Sequence, residues 1–305
     1  MSELDLARLN FNAEAMLALN ALLAFIMFSV ALNLRIEDFS RVSRRRRAVF
    51  GGLFAQMIVL PALTFVLVWL LQPPPSLALG MIVVAACPGG SVSNFFSYLA
   101  RGDAALSISM SAMSSLASAL VTPLSIAFWG SLLPSTRQLL QTVSVDFWQL
   151  LLIVATVLVL PTFAGCSVST TYPRVAEALR RPLAILAILV FGVFVAAALL
   201  ANWTLFVTHF SSIAGLVLVH NGLAIAAGFT VATLLGLARA ERRAISIEVG
   251  IQNTALGLTL IFAFFDGLGG MALIAGWWGI WHLFSGAALA AFWSSRPLPQ
   301  ASLAR

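Results

Sequence analysis

The chain has no lysine, and its 305 residues include only 9% charged side chains, two cysteines, three histidines and two tyrosines. A soluble globular domain carries about a quarter charged residues, so this charge deficit excludes that class. Cys87 and Cys166 both fall in apolar runs, which excludes a disulfide framework. His209, in an expected loop, and His220 and His282, in expected spans, are scattered without metal-ligand spacing. A cleavable signal is also missing: the first apolar run follows Glu3, Asp5 and Glu14 rather than a basic segment and is long enough to span. The exclusive use of arginine fits a GC-rich bacterial genome.

What the sequence has in place of charge is hydrophobicity, at 61% of residues. A helix crosses a bilayer with about 20 apolar residues. The pattern predicts spans at 14–34, 48–71, 76–100, 104–130, 146–167, 182–202, 212–236, 244–265 and 270–293. The short connectors leave no room for a soluble domain. The expectation is therefore a single all-α, polytopic membrane unit over residues 1–305.

The net charge of +6 would suit nucleic acid, but its distribution points elsewhere. Alternating the loops puts Arg35, Arg41, Arg44, Arg45, Arg46, Arg47, Arg101, Arg174, Arg180, Arg181, Arg239, Arg242, Arg243, Arg296 and Arg305 on one side. Only Arg8 and Arg137 remain on the other. The positive-inside rule makes the first side cytoplasmic. This predicts a multi-pass protein of the cell (inner) membrane with an exterior N-terminus and a cytoplasmic C-terminus. The run Arg44 to Arg47 is a topology anchor that touches anionic lipid headgroups.

The chain is organised around Ile247-Glu248-Val249-Gly250-Ile251-Gln252-Asn253-Thr254, inside an apolar run. An acidic residue near the centre of a span costs roughly 2.5 to 3.5 kcal/mol, so Glu248 is a functional residue that needs a partner. No arginine lies within its span. A proton, a cation or polar groups from other helices must serve.

A second interruption lies in the third span, at Cys87-Pro88-Gly89-Gly90-Ser91-Val92-Ser93-Asn94. Proline removes a backbone donor and clashes with the preceding turn, so the helix breaks here. Irregular backbone at membrane depth must be buried in protein or line a cavity. The fourth span carries Ser107, Ser111, Ser114 and Ser118 at helical spacing. Most of that stripe suits close helix packing, while Ser107 and Ser111 are equally candidates for ligands. His220, beside Asn221 and Gly222, reads as an interhelical hydrogen-bonder rather than a proton carrier.

Under the loop assignment the two broken spans run antiparallel. Paired discontinuous helices in corresponding places of two halves point to an inverted-repeat transporter. Spans one to four match six to nine, leaving span five without a counterpart. Broken helices offer free carbonyls to a cation and free N–H groups to an anion. One site can thus hold a cation beside a carboxylate.

The two broken-helix motifs, with Tyr98-Leu99-Ala100-Arg101-Gly102-Asp103 and Trp281-His282, closely resemble the bile acid:sodium symporter family in a nine-helix form. That resemblance implies a panel of spans one, five and six, and a core of spans two, three, four, seven, eight and nine. It implies two sodium ions. One would be held by Ser93, Asn94, Ser107, Ser111 and Glu248, and the other by Gln56, Glu248, Gln252 and the carbonyls of Val249 and Ile251. The short first helix of ten-helix members has no counterpart here.

The mechanism expected from this is symport of sodium with an organic anion, bile acid-like or a small carboxylate, by alternating access. Ser91 and Asn253 are the expected substrate contacts. A proton-coupled carrier using Glu248 alone is the competing reading. An intramembrane enzyme would need a second acid, a base or a metal cluster facing Glu248, and the spans offer none.

Overall fold

The computed structural model describes residues 5, 13–32, 45–90, 92–142, 148, 151–152, 155–201 and 203–296. Ser91, Arg8, Arg35, Arg41, Arg44, Arg305 and part of the fifth expected span lie outside the described residues. The described chain is helical, and its only extended pairing is one isolated bridge between Gly89 and Gln252.

Helix α1 (Ala13–Ala31) is apolar apart from Glu14, Asn20 and Ser29. Its end is held from another helix, because Arg180 Nε donates to Leu32 O at 2.8 Å. Helix α2 (Arg46–Leu71) carries a π turn at Ala55–Val59. The cause is local: Pro61 has no N–H for the preceding turn, and the Leu60 N–H reaches back to Ala55 O instead. The same Val-Leu-Pro sequence follows the π turn at Ala155–Val159 in α7. Helix α2 stops where Gln72 turns left-handed (φ 45°) before three successive prolines.

Helix α3 (Pro75–Ala86) ends at an extended Cys87, and α4 (Val92–Leu99) resumes after the Pro-Gly-Gly segment. Helix α5 (Ala104–Leu132) is capped by Asp103, whose carboxylate accepts the Leu106 N–H at 3.0 Å and also pairs with Arg45. A short α6 (Pro134–Thr142) follows, then α7 (Ala155–Thr171), α8 (Pro173–Ala201) and α9 (Trp203–Leu234). Helix α10 (Arg239–Gly250) breaks before α11 (Thr254–Phe264), and α12 (Gly269–Ser294) closes the described chain.

By length and composition α2, α5, α12 and the Phe206–Leu234 part of α9 can each cross a membrane. Segments of α1, α3, α7 and α11 are shorter apolar helices. Helices α1, α7 and α8 pack on one another. Around Glu248, α10 lies against α9, α4, α5, α12 and α2, while α3 sits among α12, α5 and α2. Helix α11 touches both α12 and α1, so the end of the second broken helix meets the other helix group.

The sequence expectation fails between the sixth and seventh spans. The expected connector around His209 is helical, and α9 begins at Trp203. Phe206 and Phe210 pack against Trp277 at centroid distances of 5.8 and 5.1 Å. This aromatic contact carries the helix past the polar residues at which the apolar run ends.

Candidate functional site

The two broken helices cross at their breaks and hydrogen-bond through main chain. Gly90 N–H donates to Ile251 O at 2.7 Å, and Asn253 N–H donates to Pro88 O at 2.8 Å. Glycine is required here by close approach. A Cβ on Gly89 would overlap Glu248 Oε1 and come within 3.1 Å of Gln56 Nε2. A Cβ on Gly90 would lie 3.0 Å from Gln252 O.

Glu248 is fully buried, with 0% exposure, and its carboxylate is surrounded by hydroxyls from α4 and α5. Ser93 Oγ donates to Oε2 at 2.6 Å, Ser107 Oγ lies 2.7 Å from Oε2, and Ser111 Oγ lies 2.6 Å from Oε1. Asn94 Oδ1 competes for the same protons, at 2.8 Å from Ser107 Oγ and 3.2 Å from Ser111 Oγ. A hydroxyl has one proton to give. The three hydroxyl protons therefore divide among three acceptors, Glu248 Oε1, Glu248 Oε2 and Asn94 Oδ1, and the pocket is lined by oxygen. Ser97, from the next turn of α4, adds a further oxygen 3.2 Å from Ser107 Oγ.

All five residues of the first expected sodium set are thus within one cluster. The second set is also near the crossing. Gln56 is fully buried in the π turn of α2, and neither its Oε1 nor its Nε2 has a hydrogen-bond partner. Gln252 Nε2 donates to Val249 O at 2.7 Å, while Gln252 Oε1 is buried without a partner. Each unsatisfied buried polar group costs about 1–3 kcal/mol. Such a concentration beside a carboxylate fits a hard cation, which prefers oxygen ligands. Among the described residues no group of three or more His, Cys, Asp or Glu could hold a metal ion, so a site here rests on serine and amide oxygens.

Asn253 is the N-cap of α11, with Oδ1 accepting the Leu256 N–H at 3.0 Å. Its Nδ2 lies 3.7 Å from Met27 Sδ on α1, which puts it where the two helix groups meet. Ser91 lies outside the described residues.

Three supports were not legible in the sequence. Thr122 Oγ1 donates to Ala86 O at 2.7 Å, tying off the end of α3, and Asn221 Nδ2 does the same for Gly250 O at the end of α10. Arg243 is buried and donates to Ala100 O, Trp293 O and Arg296 O at 2.8, 3.0 and 2.8 Å. A cation at helix C-termini is favoured by their exposed carbonyls. His220 Nε2 lies 2.6 Å from Thr64 Oγ1, and its ring packs edge-on against Trp278.

These features define an all-helical, polytopic membrane protein with a polar crossing at its centre. Residues 20–210 match the model of the Sodium Bile acid symporter family. The chain is 31% identical over 274 residues to "Uncharacterized sodium-dependent transporter YocS" of Bacillus subtilis (strain 168), covering 90% of this chain and 82% of that protein. It is 30% identical over 278 residues to "Probable sodium/metabolite cotransporter BASS2, chloroplastic" of Oryza sativa subsp. japonica, covering 91% of this chain and 64% of that one. It is also 30% identical over 240 residues to the "P3 protein" of Homo sapiens, of which it spans 48%. The chain belongs to the sodium bile acid symporter family, whose members are transporters rather than enzymes.

Proposed function

We propose that the protein couples sodium entry to uptake of an organic anion by alternating access. The observation that supports this best is the excess of buried oxygens at the crossing: Glu248 with Ser93, Asn94, Ser107 and Ser111, beside the unpartnered oxygens of Gln56 and Gln252. One sodium ion takes the first cluster. The second takes Gln56, Glu248, Gln252 and the carbonyls of Val249 and Ile251, after the Gln252 amide turns its oxygen inward.

Sodium bridges residues of α4, α5 and α10 in the first cluster and of α2 and α10 in the second, so its binding draws the two broken helices together. The substrate carboxylate then docks near the N–H groups that open α4 and α11, where helix N-termini favour anions. Ser91 and Asn253 supply side-chain contacts, and the substrate sits between the helix groups, a reading supported by the position of Asn253 against Met27. Helices α1, α7 and α8 act as a panel, and the others form a core that rocks against it. The arginine-rich side faces the cytoplasm of the cell membrane. Two sodium ions with one monoanion carry a net positive charge inward, worth about 2.3 kcal/mol per 100 mV.

The test is thermal stability of the detergent-purified protein in sodium against potassium, followed by uptake of carboxylates into vesicles under a sodium gradient. A ligand specific to the folded state stabilises by about 2.7 kcal/mol at a hundredfold excess over Kd. Wild type should show that sodium-specific gain and Glu248→Ala should lose it. Stability indifferent to sodium, with uptake driven by a proton gradient alone, would replace this reading with proton coupling at Glu248.

A further inference from the structure

Gly250, the last residue of α10, lies between the two residues whose carbonyls are proposed to bind the second sodium ion. It is glycine because α9 comes close: a Cβ there would lie 2.5 Å from Ile225 Cγ1. Glycine leaves the backbone free to turn, so the directions of the neighbouring carbonyls are not fixed by the residue itself. The neighbouring carbonyls are held from within the crossing. Ile247 O accepts the Ile251 N–H at 3.0 Å, Val249 O accepts Gln252 Nε2 at 2.7 Å, and Ile251 O accepts the Gly90 N–H at 2.7 Å. The donor to Gly250 O comes from outside it: Asn221 Nδ2, on α9, at 2.7 Å. Asn221 is 1% exposed, and its Oδ1 is buried without a partner. A packing role would favour an apolar side chain, since a buried unpartnered oxygen opposes folding.

Resting on the sodium reading above, the geometry points to Asn221 as a positioning residue for the second sodium site. Its amide fixes the peptide plane between Gly250 and Ile251. The carbonyls of Val249 and Ile251, and the register of Glu248, are thereby held ready for the ion. Asn221 does not touch sodium. It removes the freedom that glycine introduces at the break, as outer-shell groups do for metal ligands.

The experiment titrates the full-length protein with sodium at constant ionic strength, potassium making up the balance, and reads thermal stability. Asn221→Leu should raise the sodium concentration for half-maximal stabilisation by about tenfold or more. Ser246→Ala is the control. It removes the bond from Ser246 Oγ to Ile225 O, 2.8 Å long and between the same two helices. It should lower stability in potassium and leave the sodium midpoint at the wild-type value. Should Asn221→Leu not fold, Asn221→Ser shortens the donor and carries the same expectation. An unchanged midpoint in the Asn221 variants, or an equal shift in Ser246→Ala, overturns the positioning role. A wild-type protein without any sodium-specific shift overturns the sodium reading itself, which is a distinguishable failure.

Discussion

The two breaks meet at one crossing and are built by different means. The first lies in Cys87-Pro88-Gly89-Gly90, where proline forbids the helical hydrogen bond and two glycines allow the chain to turn. The second has no proline. At Ile251-Gln252-Asn253 the helix ends because side chains and the opposite break take over its backbone groups: Asn221 holds Gly250 O, Gly90 N–H holds Ile251 O, and Asn253 caps the helix that follows. One break is imposed by the local chain and the other by its surroundings. A break that depends on its surroundings can respond to them, and this is the one that carries Glu248 and Gln252.

The largest effect expected is from filling the space between the breaks. Gly89→Ala puts a methyl group onto Glu248 Oε1 and close to Gln56 Nε2. Overpacking costs about 1–3 kcal/mol, and here the displaced atoms are the proposed ligands. Sodium-driven uptake in vesicles should fall to background and the sodium-specific thermal shift should vanish. Retention of both would mean that the crossing is looser than its contacts imply.

Next in size is Gln56→Leu, which separates stability from function. Both polar atoms of Gln56 are buried and unpartnered, so an apolar replacement of similar volume should raise stability in potassium, by up to about 1–3 kcal/mol. The same change deletes an oxygen of the second site. Sodium half-saturation should rise about tenfold, equivalent to ~1.4 kcal/mol. A variant that is less stable in potassium with unchanged sodium affinity would make Gln56 a packing residue.

What was legible in the sequence follows the same division. Pro88-Gly89-Gly90 and Glu248 stand out because a broken backbone and a charge in an apolar run are local anomalies. Ser107 and Ser111 share a helix face by spacing alone. The supports did not stand out, because Thr122, Asn221 and Arg243 all bond to backbone carbonyls, and a carbonyl leaves no mark on its partner's sequence. Span ends were blurred for a related reason. The apolar window stops near residue 212, but α9 starts at Trp203, since aromatic contacts with Trp277 support helix beyond the apolar run. The connector expected around Arg137, between the fourth and fifth spans, is helix α6, which Thr136 Oγ1, donating to Gly130 O at 2.7 Å, ties to α5.

The smallest effects compare the breaks directly. In Pro88→Ala the two glycines remain, and so does the carbonyl of residue 88 that accepts the Asn253 N–H. The change loosens mainly the unfolded chain, a cost of about 0.4–1 kcal/mol. The sodium midpoint should stay within about threefold of wild type, under ~1 kcal/mol. Asn253→Ala leaves every backbone restriction in place but removes the cap on Leu256 N–H, at a cost of about 1 kcal/mol. Because the second break is held by such contacts, its sodium midpoint should move further than that of Pro88→Ala, although alanine at 253 adds no helix breaker. The reverse order, with Pro88→Ala the more damaging to sodium binding, would mean that the first break holds the site in shape and the second merely follows it.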